Sequence, residues 1–506
     1  MGRARSSKIE VMADQAQDSP SKALDFAPKW WPILCLLPFL GWWLTGLTDL
    51  DEGFYGAIAS DMIRRGDFIT TTLNGEPWFE KPILVYWLAI PAIKLFGLDW
   101  GPRLPSVIAS LLTAWMLYRF AARQFSEMHG IFVALAATSS LVLAGIGRMM
   151  LTDAAFVAAL TACFLLFWES INGRPALRWG AAACLGLAVL AKSPVAGFFF
   201  IVTAVAVYWR WPELRMGFKG NWIGPILFGL GVIAAWYIPC YLANGQVFIQ
   251  KYLIEQNLGR FAGGDLAHRV PVWSHPIYYP LILAVGLLPW LPGAIKQGLF
   301  RRRPSDSPHA PLSFFLWTWM ASILVLFSLS GSKLPHYIAP ALPPLILLVS
   351  QAALKKPGLQ FKTLLYQAAA WAVLVMAAAN AIFLYEYQRQ KGFELHGLAR
   401  KLGRTSEPVV LYKFGRSESD VEIKLTINET SRPSLFFYLG RPAVKTSDLT
   451  ESVEGRTEDF LLLTAEGRLT EADISLAESL GFSASETEFS TENYQVFRFT
   501  PLMASG

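Results

Sequence analysis

Charge and cysteine are both scarce in this chain. Only 16% of its 506 residues are Asp, Glu, Lys or Arg, while 53% are hydrophobic; soluble domains carry about 25% charge. That excludes an ordinary water-soluble domain. Apolar runs recur from Trp30 to about Tyr385, so the chain reads as a polytopic membrane protein. The four cysteines, Cys35, Cys163, Cys184 and Cys240, lie inside apolar runs without metal-ligand or redox spacing. They read as small buried hydrophobes, which argues against a thiolate centre. The six histidines contain no HxxH-type pair. The polar C-terminal region lacks a GxGxxG, a P-loop and a nucleophile elbow. No clear internal repeat of the kind many transporters carry is present.

Aromatic residues, by contrast, are plentiful, with 19 Trp and 34 Phe. Many flank the apolar runs (Trp30, Trp31, Trp42, Trp43, Trp209, Trp211, Trp222, Trp290), where amphipathic rings favour the headgroup layer. The net charge of +6 hides a split. Residues 390–506 hold 13 Lys+Arg against 18 Asp+Glu, and the remainder holds 31 against 20. The basic excess belongs to the membrane part, as topology-setting loop charge rather than a nucleic-acid surface.

The expected spans are 30–47, 103–121, 129–147, 153–170, 178–191, 194–209, 222–242, 275–293, 311–329, 336–353 and 363–385, about eleven in all. The run 82–97 is brief, holds Pro82 and Pro91 and ends near Lys94, so it reads as interfacial. With it excluded, every second boundary is basic, from the 1–29 leader to Lys355/Lys356/Lys362. The positive-inside rule puts those boundaries in the cytoplasm. Residues 1–29 then form the cytoplasmic leader of an uncleaved anchor. Residues 30–388 form the membrane domain, and 389–506 form a small α/β domain outside. In that domain 408–414, 421–427, 434–438, 460–464 and 494–499 are strand candidates, with a helix over 470–480. The fold class is thus a polytopic all-α membrane protein with a C-terminal α/β domain.

This topology gathers most of the chemistry-bearing residues on one face. Outside lie the first loop (48–102), the Asp153 turn, Lys192-Ser193-Pro194, the long loop 243–274 and Ser332-Lys333-Leu334-Pro335-His336-Tyr337. Residues 52–65 form an amphipathic interfacial helix, followed by an Asn74-Gly75 turn. Hydrocarbon cannot solvate a carboxylate, so acidic residues ending a membrane segment sit at a water boundary. Asp51, Glu52 and Asp153 are helix-start residues, suited to capping and to staying ionised beside a helix N-terminus. Lys81, Lys192 and Lys333, with Arg260 and Arg269, suggest an anionic group at the membrane surface, with phosphate the obvious candidate.

The ordered set Asp51-Glu52-Gly53-Phe54-Tyr55, Asn74-Gly75, Phe79-Glu80-Lys81-Pro82, Arg103-Leu104-Pro105-Ser106, Leu151-Thr152-Asp153, Leu190-Ala191-Lys192, the His268-to-Trp290 region and Ser332–Tyr337 resembles the GT-C glycosyltransferases that use polyprenyl-phosphate sugars. The resemblance covers most of the membrane region. It is to the protein O-mannosyltransferases and, more closely, to the aminoarabinose transferases that modify lipid A. It implies catalytic roles for Asp51 and Asp153, with Glu52 beside them. It implies donor-phosphate contacts from Lys81 and Tyr337, joined by Lys192, Arg260 and Lys333. It also implies that Glu80 and His268 can hold a divalent metal, although no cofactor is required. The chain departs from the aminoarabinose enzymes at Phe54, where they carry an arginine.

The resulting expectation is a multi-pass enzyme of a bacterial inner membrane, N-terminus cytoplasmic and C-terminus periplasmic. It would move a sugar from a polyprenyl-phosphate donor to a lipid (lipid A-like) or glycan acceptor, with inversion. Membrane lipids are its other partners and nucleic acid is not one. A transporter or lipid flippase is the competing class; it would need ionisable groups at mid-membrane.

Overall fold

The computed structural model describes residues 30–49, 51–259, 270–301, 307–354, 359–413 and 432–502. Among them, six helices are long and apolar enough to cross a membrane: Leu104–Gln124, Thr152–Ile171, Ile223–Gly259, Ala310–Leu329, Pro335–Ala353 and Thr363–Arg389. Three bent pairs bring the number to at most nine. These are Glu127–Thr138 with Leu141–Gly147, Val195–Arg210 with Pro212–Phe218, and Val272–Gly286 with Trp290–Lys296. Leu177–Ala191 is a shorter apolar helix packed on Thr152–Ile171. The 82–97 run forms Leu84–Trp100, with Pro91 inside and a break at Gly97, where φ is 77°. It is not among the span-length helices.

The first apolar run differs from expectation. It is a six-residue helix, Trp31–Leu36, then a 3-10 turn, Leu37–Phe39, then irregular chain. Pro38 and the left-handed Gly41 (φ 90°) prevent a continuous helix. Carbonyls freed at this depth need donors, because lipid supplies none. Two buried arginines provide them. Arg148 Nη1 donates to Pro38 O and Leu40 O (2.9 and 2.8 Å). Arg103 donates to the carbonyls of Trp42, Thr45 and Gly46 (2.8–3.0 Å).

The C-terminal unit is a five-stranded mixed sheet. Its strand order is Val444–Thr446, Val409–Tyr412, Phe460–Ala465, Tyr494–Pro501, Phe482–Glu486, with the first three parallel and the last two antiparallel. Side chains alternate across it. Val410, Tyr412, Phe460 and Leu462 form a small core with Leu449, Val453 and Ala477 from the covering helices. Val409, Leu411, Leu461 and Leu463 join the main core. The helix Glu471–Ser479 starts at a Thr470/Asp473 capping box.

Residues 434–438, expected as a strand, lie instead in the helix Pro433–Leu439. Pro433 opens it and Gly440, at φ 68°, closes it. The strands Val444–Thr446 and Phe482–Glu486 were not foreseen, and the 421–427 strand candidate lies outside the described residues.

Candidate active site

The loop after the first apolar run enters through the helix Asp51–Arg65. Its second residue, Glu52, is fully buried. The Glu52 carboxylate accepts from Arg103 Nε and Nη2 (2.7 and 2.6 Å), Thr48 Oγ1 (2.7 Å), Thr48 N (3.2 Å) and Met150 N (2.8 Å). Five donors exhaust the roughly four lone pairs of a carboxylate. Burial alone would raise this carboxyl; the Arg103 charge and these hydrogen bonds outweigh it and hold the group below its usual range. Glu52 therefore has no capacity left for a substrate. It ties the acidic helix to Arg103 and to the turn before Asp153, a positioning role rather than the catalytic one expected.

Asp51 differs. It begins the same helix but is exposed, at the positive end of the helix dipole. Asp153 opens Thr152–Ile171 and is 2% exposed, ion-paired to Lys192. Lys192 Nζ also lies 4.6 Å from the centre of the Tyr337 ring. His336 Nε2 stands 3.9 Å from Asp153 Oδ2, and the His336 and Tyr337 rings meet edge-on. Lys81 and Glu80 pair at 3.1 Å, both largely buried.

These pairs belong to one neighbourhood. Asp153, Lys192, Asp51 and Lys81 all act electrostatically on His336. Tyr55, whose phenol is pushed well up first by burial, also feels Glu80, Asp51 and Asp153. Five segments distant in sequence thus place three carboxylates, two lysines, a histidine and two tyrosines at one end of the bundle. Phe54, stacked on Trp78 with centroids 5.4 Å apart, is buried beside them.

Lys333, expected on the donor phosphate, is turned inward. Its ammonium donates to the carbonyls of Phe327, Ser328 and Ser330 (3.0, 2.9 and 2.7 Å). That uses its three protons and caps the end of Ala310–Leu329, the favourable place for a cation. Arg260 and His268 lie outside the described residues. Glu80 is paired with Lys81, and no group of three or more His, Cys, Asp or Glu placed to hold a metal occurs among the described residues. These residues alone do not complete a metal site. His336, and the arginines 103 and 148 behind the loop, are the contributors that residue patterns did not single out for these roles. An arginine directly before a Leu-Pro helix start was the available signal for Arg103.

The fold is that of ArnT, known from crystal structures. The crystal structure of ArnT from Cupriavidus metallidurans bound to undecaprenyl phosphate superposes with a TM-score of 0.71 at 18% identity, covering 92% of this chain and 96% of that one. The profile of the dolichyl-phosphate-mannose-protein mannosyltransferase family matches residues 80–238. An undecaprenyl phosphate-alpha-4-amino-4-deoxy-L-arabinose arabinosyl transferase of Edwardsiella ictaluri is 31% identical over 310 residues, covering 59% of this chain and 54% of that protein. Its counterpart from Yersinia enterocolitica is 32% identical over 313 residues, covering 60% and 54%. The matches span little more than half the length of these curated relatives.

Proposed function

We propose that the chain is an inner-membrane glycosyltransferase that moves a sugar from a polyprenyl-phosphate carrier to a lipid A-like or glycan acceptor. The observation that carries this reading is the clustering of Asp51, Glu80/Lys81, Asp153/Lys192, His336 and Tyr337 at one end of the bundle. The similarity to relatives named for arabinosyl transfer from undecaprenyl phosphate supports it.

In this reading residues 1–29 are the cytoplasmic leader, 30–388 the catalytic membrane domain and 389–506 a periplasmic domain. The alternating basic boundaries support that orientation. Asp51 orients the acceptor oxygen and takes its proton. That oxygen bonds to the anomeric carbon as the sugar–phosphate C–O bond breaks, and the electron pair leaves on the polyprenyl phosphate. Lys81, Lys192 and Tyr337, with Arg260, stabilise the departing charge. Asp153 holds Lys192 in place. A single displacement through an oxocarbenium-like transition state inverts the anomeric centre. The donor brings its own leaving group, so the reaction calls for no further cofactor. If a divalent ion binds, Glu80 with His268 would hold it and add positive charge near the phosphate.

Asp51→Asn is expected to abolish transfer in a reconstituted assay with a polyprenyl-phosphate sugar, while insertion and polyprenyl-phosphate binding persist. Near-normal transfer by that variant defeats the assignment. NMR assignment of the product anomer checks inversion.

A further inference from the structure

We infer that the C-terminal unit is the mount of the acidic loop, with Ser434 and Gln390 as positioning residues for Asp51. The inference rests on the reading of Asp51 given above. It assigns the C-terminal unit a part in the reaction.

Two residues before Asp51, the Asp49 carboxylate accepts from Ser434 N and Ser434 Oγ, both at 2.9 Å. The Asp49 backbone is held as well: its N–H donates to Gln390 Oε1 (2.9 Å), and its carbonyl accepts from Gln390 Nε2 (3.0 Å). Gln390 closes the last membrane helix, and Ser434 is the second residue of Pro433–Leu439. One aspartate is thus gripped from both sides by elements more than 340 residues away.

A directed chain stands behind Ser434. Its hydroxyl is given to Asp49, so Ser434 Oγ accepts from His396 Nε2 (3.0 Å). His396 Nδ1 in turn accepts from Tyr387 Oη (2.7 Å). His396 also stacks on Tyr438 (centroids 4.1 Å apart), whose hydroxyl accepts from Leu47 N (2.9 Å). Burial, then the charges of Arg400, Arg432 and Arg103, push His396 down to about 3, so the ring stays neutral at neutral pH.

The helices meet without room to slide. A Cβ on Gly53 would lie 2.4 Å from Asp49 Oδ1 and 2.6 Å from Ser434 N, and one on Gly56 would lie 2.3 Å from Leu47 Cδ1. The other arm of the loop is pinned too. Asn74 exchanges hydrogen bonds with the Ala443 backbone (3.0 and 3.1 Å), just ahead of Glu80-Lys81. Both arms that present the cluster are therefore indexed to the same C-terminal segment, 433–443. Hydrophobic docking alone would not need polar grips at those two places.

The test uses the full-length protein in lipid nanodiscs. Ser434→Ala and Gln390→Ala are compared with Asp51→Asn and with Thr470→Ala, which removes a helix cap remote from the mount. Steady-state transfer and hydrogen exchange of residues 48–56 are measured. Misplacing a reacting group by about 1 Å costs on the order of a hundredfold. The mount variants should lose about tenfold to a hundredfold in kcat with donor KM unchanged. Exchange should rise in 48–56, and Thr470→Ala should match the parent. If Asp51→Asn is dead while both mount variants keep parental kcat and protection, the mount is overturned and the function stands. If Asp51→Asn is active, the functional reading fails instead. Should Ser434→Ala not fold, Gln390→Ala decides alone, because it leaves the Pro433–Leu439 helix intact.

Discussion

Adjacent carboxylates can do opposite work, and Asp51 and Glu52 illustrate it. Glu52 is spent on five donors; Asp51 faces solvent. Removing one partner of a buried ion pair costs about 3–5 kcal/mol. Glu52→Gln should therefore lower thermal stability strongly, whereas Asp51→Asn should leave it near the parent in a detergent melting assay. Pairing Glu52→Leu with Arg103→Met should not restore stability, because the carbonyls of Trp42, Thr45 and Gly46 also lose their donor. Recovery by the double variant would contradict that accounting. His336→Gln should lower turnover with donor affinity retained, since His336 borders Asp153. Unchanged kcat would remove His336 from the site. Acidic helix starts were legible from sequence; which carboxylate is buried was not, because Arg103 arrives from 51 residues away.

At the scale of elements, the long membrane helices and the C-terminal strand-and-helix unit follow from apolar length and period. The misses have local causes. Pro38 and Gly41 break an apolar run that hydropathy reads as continuous. Pro433 and Gly440 make a helix of an aromatic segment that β-propensity reads as a strand. The contacts that hold that helix, from His396 and Asp49 to Ser434, carry a pH dependence. His396 is depressed from 6.5 to about 3, so its contribution is present above pH 6.5 and is lost as pH falls toward 3. Asp49, raised by burial from 3.8 to about 6 against the pull of Ser434 and Arg432, acts the other way. Its contribution is full below pH 3.8 and is lost as pH rises through 6. Between pH 7 and 4 the His396 loss, about 3 kcal/mol, slightly exceeds the Asp49 gain, about 2.5 kcal/mol. Docking of the C-terminal unit should weaken on acidification from pH 7 to 4. His396→Asn, which leaves Asp49 acting alone, should reverse that slope, as read from melting temperature against pH; a parent protein with no slope would contradict the argument.

For the whole molecule, composition and the charge of alternate boundaries made the membrane class and one proposed orientation readable. That 51, 80–81, 153, 192 and 336–337 share one face was an expectation of the same topology; which of them pair, as Asp153 with Lys192, was not readable, since helix packing decides it. A cysteine placed at the exposed Asp448 should react with an impermeant maleimide added to intact spheroplasts. Labelling only after lysis would reverse the proposed orientation.

The most direct measurement is mass spectrometry on the purified, reconstituted protein given a polyprenyl-phosphate sugar and bacterial envelope lipids. An acceptor should gain the mass of one sugar residue as free polyprenyl phosphate appears, and neither should occur with Asp51→Asn. Movement of intact donor across the bilayer with no new covalent product would contradict it.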